Sequence, residues 1–397
     1  MMFEKISAAT IDPIMGLNEE FNADTRPHKI NLGIGVYKDA NGNTPVLSSV
    51  KKAEMRLLEN EKSKSYLNIP GTAEYARAAQ ELLFGANAQA IDEKRALTAQ
   101  TPGGTGSLRI AAELISRQLH GATIWLSDPT WANHTGIFSA ANLKVARYRY
   151  YDAKTQAIDF DSMLTDLNNA KAGDIVLFHG CCHNPTGIDP DNEQWLSLAK
   201  LCAGKELLPL FDFAYQGFAR GIQQDAEGLR IFTEYCDEIF VASSFSKNFG
   251  IYNERTGAFT LVAKTAEIAN SVFSQLKSII RVIYSNPPAH GGAVVTTILR
   301  DAELRAEWEA EVAVMRARIH AMRKLFVATL KAKGVETDFS FIERQNGMFS
   351  ISGLTTEQVF KMRADSAVYV VNAGRFNIAA MTEANMDAVC EAVAGVI

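Results

Sequence analysis

Lys247 stands behind an apolar run and a serine-rich turn, in Ile239-Phe240-Val241-Ala242-Ser243-Ser244-Phe245-Ser246-Lys247-Asn248-Phe249-Gly250. Most lysines keep their charge in water. In an apolar, serine-lined setting the ammonium form is disfavoured, and the neutral amine can form a Schiff base with a carbonyl. Spacing alone does not select this lysine over the others. Arg255 follows in Tyr252-Asn253-Glu254-Arg255-Thr256-Gly257, a partner for phosphate or carboxylate. Upstream, Leu210-Phe211-Asp212-Phe213-Ala214-Tyr215 puts a carboxylate just past another apolar run, with Tyr215 close behind. Such a carboxylate needs a positive partner or hydrogen-bond donors. A helix cap by Asp212 is the plain alternative.

Two further segments carry candidate chemistry. Gln100-Thr101-Pro102-Gly103-Gly104-Thr105-Gly106-Ser107 follows a strand-like run and opens a helix. Glycines let backbone N–H groups approach an anion, and a helix N-terminus adds positive potential. The segment is a phosphate cradle or an ordinary glycine turn. It has neither the Gly-Lys-Ser/Thr of a P-loop nor the dinucleotide G-x-G-x-x-G. His179-Gly180-Cys181-Cys182-His183 raises a zinc reading. Adjacent cysteines chelate poorly beside the usual C-x-x-C spacing, and no second Cys/His pair complements them, so no metal site is read. The informative part is the next turn, Asn184-Pro185-Thr186-Gly187, which leaves Asn184 near a sheet edge.

The elements that must position these groups alternate. Strand-like runs occur at Arg95–Gln100, Thr123–Ser127, Asp174–His179, Leu208–Phe211, Ile239–Ser243 and Ala258–Val262, with helical patterns such as Ser107–Leu119 and Asn192–Gly204 between them. Alternation of this kind predicts an α/β fold with a mostly parallel sheet covered on both faces. Ligands on such sheets sit outside the carboxyl ends of the strands, where the candidate residues fall. One long helix is expected from Asp301 to about Lys333, then strands at Phe339–Phe341 and Met348–Ile351 and helices at Thr356–Ala364 and Glu383–Val393. We therefore expect residues 1–44 to form an N-terminal arm and part of a small domain, 45–311 a large domain, and 312–397 the rest of the small one.

Composition bounds the function. The chain has 397 residues, 47% hydrophobic and 21% charged, which is globular and long enough for two or three domains. A net charge of -5 argues against a phosphate-tracking nucleic-acid binder, though not against a small anionic substrate. No signal peptide or membrane-length apolar run is read. Five sparse cysteines, Cys181, Cys182, Cys202, Cys236 and Cys390, read as reduced thiols of a cytoplasmic protein.

Taken in order, these motifs resemble a known family. Ser244-x-Ser246-Lys247-x-x-Gly250 with Arg255 behind it is similar to the pyridoxal-phosphate lysine segment of class I aminotransferases. Asn184-Pro185-Thr186-Gly187, the Asp212-x-x-Tyr215 pair and Asn372-Ala373-Gly374-Arg375 fall in the family's order, from Asn31-Leu32-Gly33-Ile34-Gly35-Val36-Tyr37 onward. The likeness is strongest to the bacterial aspartate-specific branch. It implies the fold type I architecture: a large domain with a mostly parallel, mixed seven-stranded sheet flanked by helices, plus a smaller α/β domain. It also implies a homodimer, pyridoxal 5'-phosphate as cofactor, and amino transfer between L-aspartate and 2-oxoglutarate by a ping-pong Schiff-base mechanism.

The resemblance assigns roles. Lys247 would bind the cofactor covalently and shuttle the Cα proton, and Asp212 would keep the pyridine nitrogen protonated. Tyr215 and Asn184 would hydrogen-bond the phenolic oxygen. Gly104, Thr105, Ser244, Ser246 and Arg255 would bind the phosphate, with Tyr66 crossing from the other subunit. Trp131 would stack on the ring, and His134 would stand behind Asp212. Arg375 would grip the substrate α-carboxylate and Arg281, also from the other subunit, the side-chain carboxylate, with Gly35, Trp131 and Asn184 lining the substrate site. Departures from the family pattern are Asn68 and Pro70 after Tyr66, Thr256 after the phosphate arginine, Ala373 where Ser is expected and Ala380 where Gly is common. They bear on the preference for dicarboxylates over aromatic substrates. An aromatic or broad-range aminotransferase is the nearest alternative, followed by a lyase using the same cofactor. A non-enzymatic binding protein would not be expected to retain the whole set.

Overall fold

The computed structural model describes residues 2–8, 13–371 and 373–397. Asn372 of the Asn372-Ala373-Gly374-Arg375 segment lies outside them. The chain divides into two compact units. The larger comprises Thr44–Arg318 and Gln345–Gly347; the smaller comprises Met1–Asn43, Ile319–Arg344 and Met348–Ile397.

In the larger unit a seven-stranded sheet runs, edge to edge, Ala96–Pro102, Thr256–Val262, Ile239–Ser244, Leu208–Phe213, Ile175–His179, Thr123–Asp128, Lys144–Arg149. Thr256–Val262 is antiparallel to both neighbours, and the other pairings are parallel. Ile175–His179, Ile239–Ser244 and Thr256–Val262 are buried at every position, as expected of strands covered on both faces. Alternation along the strands sends Leu210 to one face and Phe211 to the other. Leu210 joins Ile110, Leu114 and Ile115 of helix Gly103–Gln118 and Leu276 and Ile280 of helix Ala266–Ile283. Phe211 joins an aromatic cluster in which it meets Phe232 edge-on at 5.0 Å between centroids and Phe178 meets Trp195 at 5.9 Å.

The six strand-like runs of the sequence are strands. The seventh, Lys144–Arg149, carries Lys144, Arg147 and Arg149 and lies at the sheet's edge, where charged side chains reach solvent and deter further pairing. Helix Asn192–Gly204 spans the predicted residues because its start is set locally: Asp191 and Gln194 form a reciprocal capping box.

In the smaller unit, Phe349–Ile351 pairs antiparallel with Arg375–Asn377, and Ile30–Asn31 pairs parallel with Val368–Tyr369. Helices Thr356–Ser366 and Glu383–Ala394 each begin at a capping threonine, Thr355 and Thr382. The strand expected at Phe339–Phe341 does not form. Asp338 accepts the Ser340 N–H at 2.8 Å and its hydroxyl at 3.0 Å, and the chain winds into a 3-10 turn over Ser340–Arg344. Phe339 and Phe341 are buried from that turn, so apolar content alone suggested the wrong element. Among the described residues, no helix is long and apolar enough to cross a membrane.

Replacing the exposed capping residue, Asp191→Ala, should destabilise the protein by about 1 kcal/mol. Chemical denaturation should show a lower midpoint with little change in slope.

Candidate active site

Ladder pairing brings the sequence candidates together at the carboxyl edge of the larger unit's sheet. His179 lies opposite Asp212, and Asp212 opposite Ala242. Ser244 ends its strand opposite Gly257, and Lys247 follows on the next turn. The Lys247 ammonium lies 5.0 Å from the centroid of the Tyr215 ring. Burial disfavours its charge, and Arg255 adds to that against the pull of Asp212, so the amine titrates below the usual lysine range.

Asp212 is the second pole. Burial by itself would raise its pKa, but the hydrogen bond from His134 and the nearby positive charge of Lys247 outweigh it, and the carboxyl titrates below its ordinary value. His134 Nε2 lies 3.0 Å from Asp212 Oδ2, and the imidazole is fully buried. A relay runs behind it. Asn184 N–H points at His179 Nδ1 (3.4 Å), making that nitrogen an acceptor. Burial, with His134 nearby, pushes His179 down to about 3, so it is neutral at neutral pH. Its proton therefore sits on Nε2, which donates to Thr130 Oγ1 at 3.0 Å. The Thr130 hydroxyl is left to donate to His134 Nδ1 at 2.8 Å. The network thus assigns the His134 proton to Nε2, facing Asp212. Trp131, half-buried, packs edge-on against His134 at 5.2 Å.

The glycine segment makes an anion cradle. Helix Gly103–Gln118 has no side-chain cap and no acidic residue in its first turn, which leaves its leading N–H groups and dipole available to an anion. Gly103 adopts φ +74°, a left-handed conformation that needs glycine, and its Cα faces the Arg255 guanidinium. Arg255 Nη1 donates to Ser246 Oγ at 3.2 Å, and Gly104 packs against Ser244, so the two serines and the arginine converge on the same helix end. Thr105 is exposed there. This collection of N–H, O–H and guanidinium donors fits a phosphate group.

Two buried carboxylates brace the turns that present Tyr215 and Asn184. Asp225 accepts four backbone N–H bonds, from Gly217, Ala219, Arg220 and Gly221, at 2.7–3.2 Å. Asp189 accepts the N–H groups of Cys182 and His183, both at 2.8 Å, and burial raises its pKa to about 6. Cys181, Cys182 and Asp225 bring potential metal-binding atoms within 4.8 Å of one another. Asp225 already has every acceptor position in use, and burial pushes the Cys181 thiol far up, so the trio reads as an anchor rather than a ligand set. His183 is bridged by Ser127 and Thr186 through its two nitrogens, each at 2.9 Å.

The remaining candidates lie on other elements. Tyr66 is 93% exposed. Arg281, also exposed, lies in the last turn of helix Ala266–Ile283 and donates to the Ser285 hydroxyl. Gly35 and Arg375 belong to the smaller unit, where Arg375 is buried and donates to Gly33 O at 2.8 Å. Sequence reading assigned nothing to Thr130, and it met His179 only as a metal candidate. The signal available was the i, i+4 spacing of Thr130 and His134 beside Trp131.

The family described as "Aminotransferase class I and II" matches residues 27–393. The chain belongs to that family, the one its motifs resemble. It is 59% identical over 396 residues, covering 100% of both chains, to the aspartate aminotransferase of Escherichia coli (strain K12). It is 45% identical over 394 residues, 99% of this chain and 98% of the relative, to an aromatic-amino-acid aminotransferase of Pseudomonas aeruginosa. Among solved structures, the aromatic-amino-acid aminotransferase from Burkholderia pseudomallei covalently bound to pyridoxal phosphate superposes with a TM-score of 0.97 at 46% identity, covering 100% of this chain and 99% of that one.

Thr130→Val keeps the shape but removes the hydroxyl between the two imidazoles. We expect a loss of about 1 kcal/mol in stability. Nitrogen NMR should show His134 passing from one tautomer to a mixture. A single retained Nε2–H form would mean that the hydroxyl does not set it.

Proposed function

We propose that this chain is a pyridoxal-phosphate-dependent aminotransferase that moves the amino group between L-aspartate and 2-oxoglutarate, giving oxaloacetate and L-glutamate. The observation that carries the reading is the placement of a lysine amine with depressed pKa, Lys247, between an ionised buried carboxylate, Asp212, and a cradle of phosphate donors. Full-length 59% identity to an aspartate aminotransferase supports the substrate class. When bound, the cofactor supplies an aldehyde and an electron-accepting pyridinium ring.

The protein's own groups do the rest. Gly104, Thr105, Ser244, Ser246 and Arg255 would hold the phosphate, Asp212 would keep the ring nitrogen protonated, Tyr215 and Asn184 would donate to the phenolic oxygen, and Trp131 would cover the ring. Lys247 would hold the cofactor through its Nζ, and the same nitrogen, when free, would accept the proton of the substrate Cα and hand it back. A depressed pKa suits that task, because the amine must be unprotonated to accept. His134, fixed by Thr130 as an Nε2–H donor, keeps Asp212 ionised and aimed. Arg375 pairs with the α-carboxylate and Arg281 with the side-chain carboxylate, while Gly35 lines the substrate site.

We infer a homodimer in which Tyr66 and Arg281 complete the neighbouring subunit's site. The larger unit exposes large apolar side chains close to them in sequence, Leu58 before Tyr66 and Val282 after Arg281, as expected of a surface covered by a second copy. We place the protein in the cytoplasm, in keeping with five buried cysteines that form no disulfide among the described residues. The aromatic relatives at 45–46% identity favour a second reading, an aromatic or broad-range enzyme on the same scaffold.

Lys247→Ala should lower transamination by at least roughly 10⁴-fold. Borohydride should fix the cofactor to the peptide containing residue 247, and an adduct on any other lysine would overturn the assignment. Arg281→Ala should reduce kcat/KM for aspartate by about 10²-fold or more while leaving phenylalanine within about threefold. Equal losses for both would remove Arg281 from side-chain recognition, and a wild-type preference for phenylalanine would favour the second reading.

A further inference from the structure

In the smaller unit, strands Phe349–Ile351 and Arg375–Asn377 are registered so that Phe349 faces Asn377 and Ile351 faces Arg375. Period-two alternation puts Phe349, Arg375 and Asn377 on one side of this ribbon, with Phe349 and Arg375 as diagonal neighbours. The Arg375 guanidinium lies over the Phe349 ring, with Cζ 4.2 Å from the centroid. Both side chains are buried, at 6% and 4% exposure. We infer that Phe349 is the positioning residue for Arg375, an aromatic floor that sets the plane of its guanidinium for a carboxylate. The inference rests on the carboxylate role proposed above for Arg375.

The chemistry favours a ring at this place. Arg375 Nη2 donates to Gly33 O at 2.8 Å, and its Cζ sits over the Phe349 ring. Both of these groups are uncharged, so neither competes with an incoming carboxylate for charge. A ring under the guanidinium uses no N–H donor, whereas a carboxylate must approach in the plane to pair through two N–H bonds. The ring therefore restrains the fork without itself taking up an N–H donor.

The floor is itself held from three sides. The Phe349 carbonyl accepts from Nη2 of the fully buried Arg323 at 3.0 Å. Asn377 donates to Ile34 O at 2.5 Å and to Val36 O at 2.9 Å, fastening the segment that carries Gly35. A Cβ on Gly35 would stand 2.8 Å from Phe349 Cζ, so only glycine leaves the ring in place without a shift. Gly35 and Asn377 thus act on the carboxylate through the ring.

The test uses the holoenzyme with pentafluorophenylalanine incorporated at position 349, nearly the same in shape but with the ring's quadrupole reversed. Calorimetry with succinate, a dicarboxylate that cannot react, should show affinity weakened about tenfold, and the KM for aspartate should rise in parallel with kcat within about twofold. Phe349→Tyr should bind like the wild type. Arg375→Lys is the companion variant. If it weakens succinate strongly while the fluorinated ring changes nothing, the floor is refuted and the role of Arg375 stands. If neither change affects succinate, the carboxylate role of Arg375 falls, and the floor with it.

Discussion

A carboxylate buried at the end of a β-strand is the constraint around which the larger unit is arranged. Removing the charge of Asp212 from water would by itself favour its protonated form. The His134 Nε2–H bond reverses that preference, and it holds its direction only because Thr130, His179 and the Asn184 backbone N–H pass one orientation along the relay. A proton misplaced at any link would turn a donor toward a donor. The relay joins helix Asn133–Ser139, strand Ile175–His179 and the turn at Asn184, so the electrostatics of one oxygen depend on three separate pieces of chain.

The same economy of partners explains how an acidic protein gathers cationic groups at one place. The net charge is -5, yet the uncapped helix end, Arg255 and Lys247 converge on one sheet edge. Fields within a site depend on the nearest few groups and on low-dielectric walls, so local arrangement overrides total charge. Nearby, Asp189 and Asp225 form no ion pair among the described residues. Their oxygens take the N–H groups of the turns that present Asn184 and Tyr215, which keeps those turns rigid where regular pairing ends.

Chemistry was legible wherever a residue type and its neighbours sufficed. Lys247, Asp212, Tyr215, Arg255 and the glycine segment stood out as candidates because strand, turn and polar side chain are contiguous, although it was the family resemblance and not spacing that selected Lys247; six of the seven large-sheet strands were readable from apolar runs bounded by turn residues. The edge strand Lys144–Arg149 was not, since its charges resemble a loop. The Phe339–Phe341 run misled, because a local side-chain bond from Asp338 decided its backbone.

What the linear chain settled, then, was which groups could react and which local windows would be helix or strand, because capping boxes and apolar periodicity act within a few residues. What folding alone decided was pairing at long range: His179 beside Asp212, Thr130 between two imidazoles, Phe349 beneath Arg375. Apart from the Thr130–His134 bond, which spans one helical turn, those contacts join residues tens of positions apart in sequence. No local propensity encodes them. They exist because burying the strands on both faces fixes a single register, and that register sets which polar groups must satisfy one another.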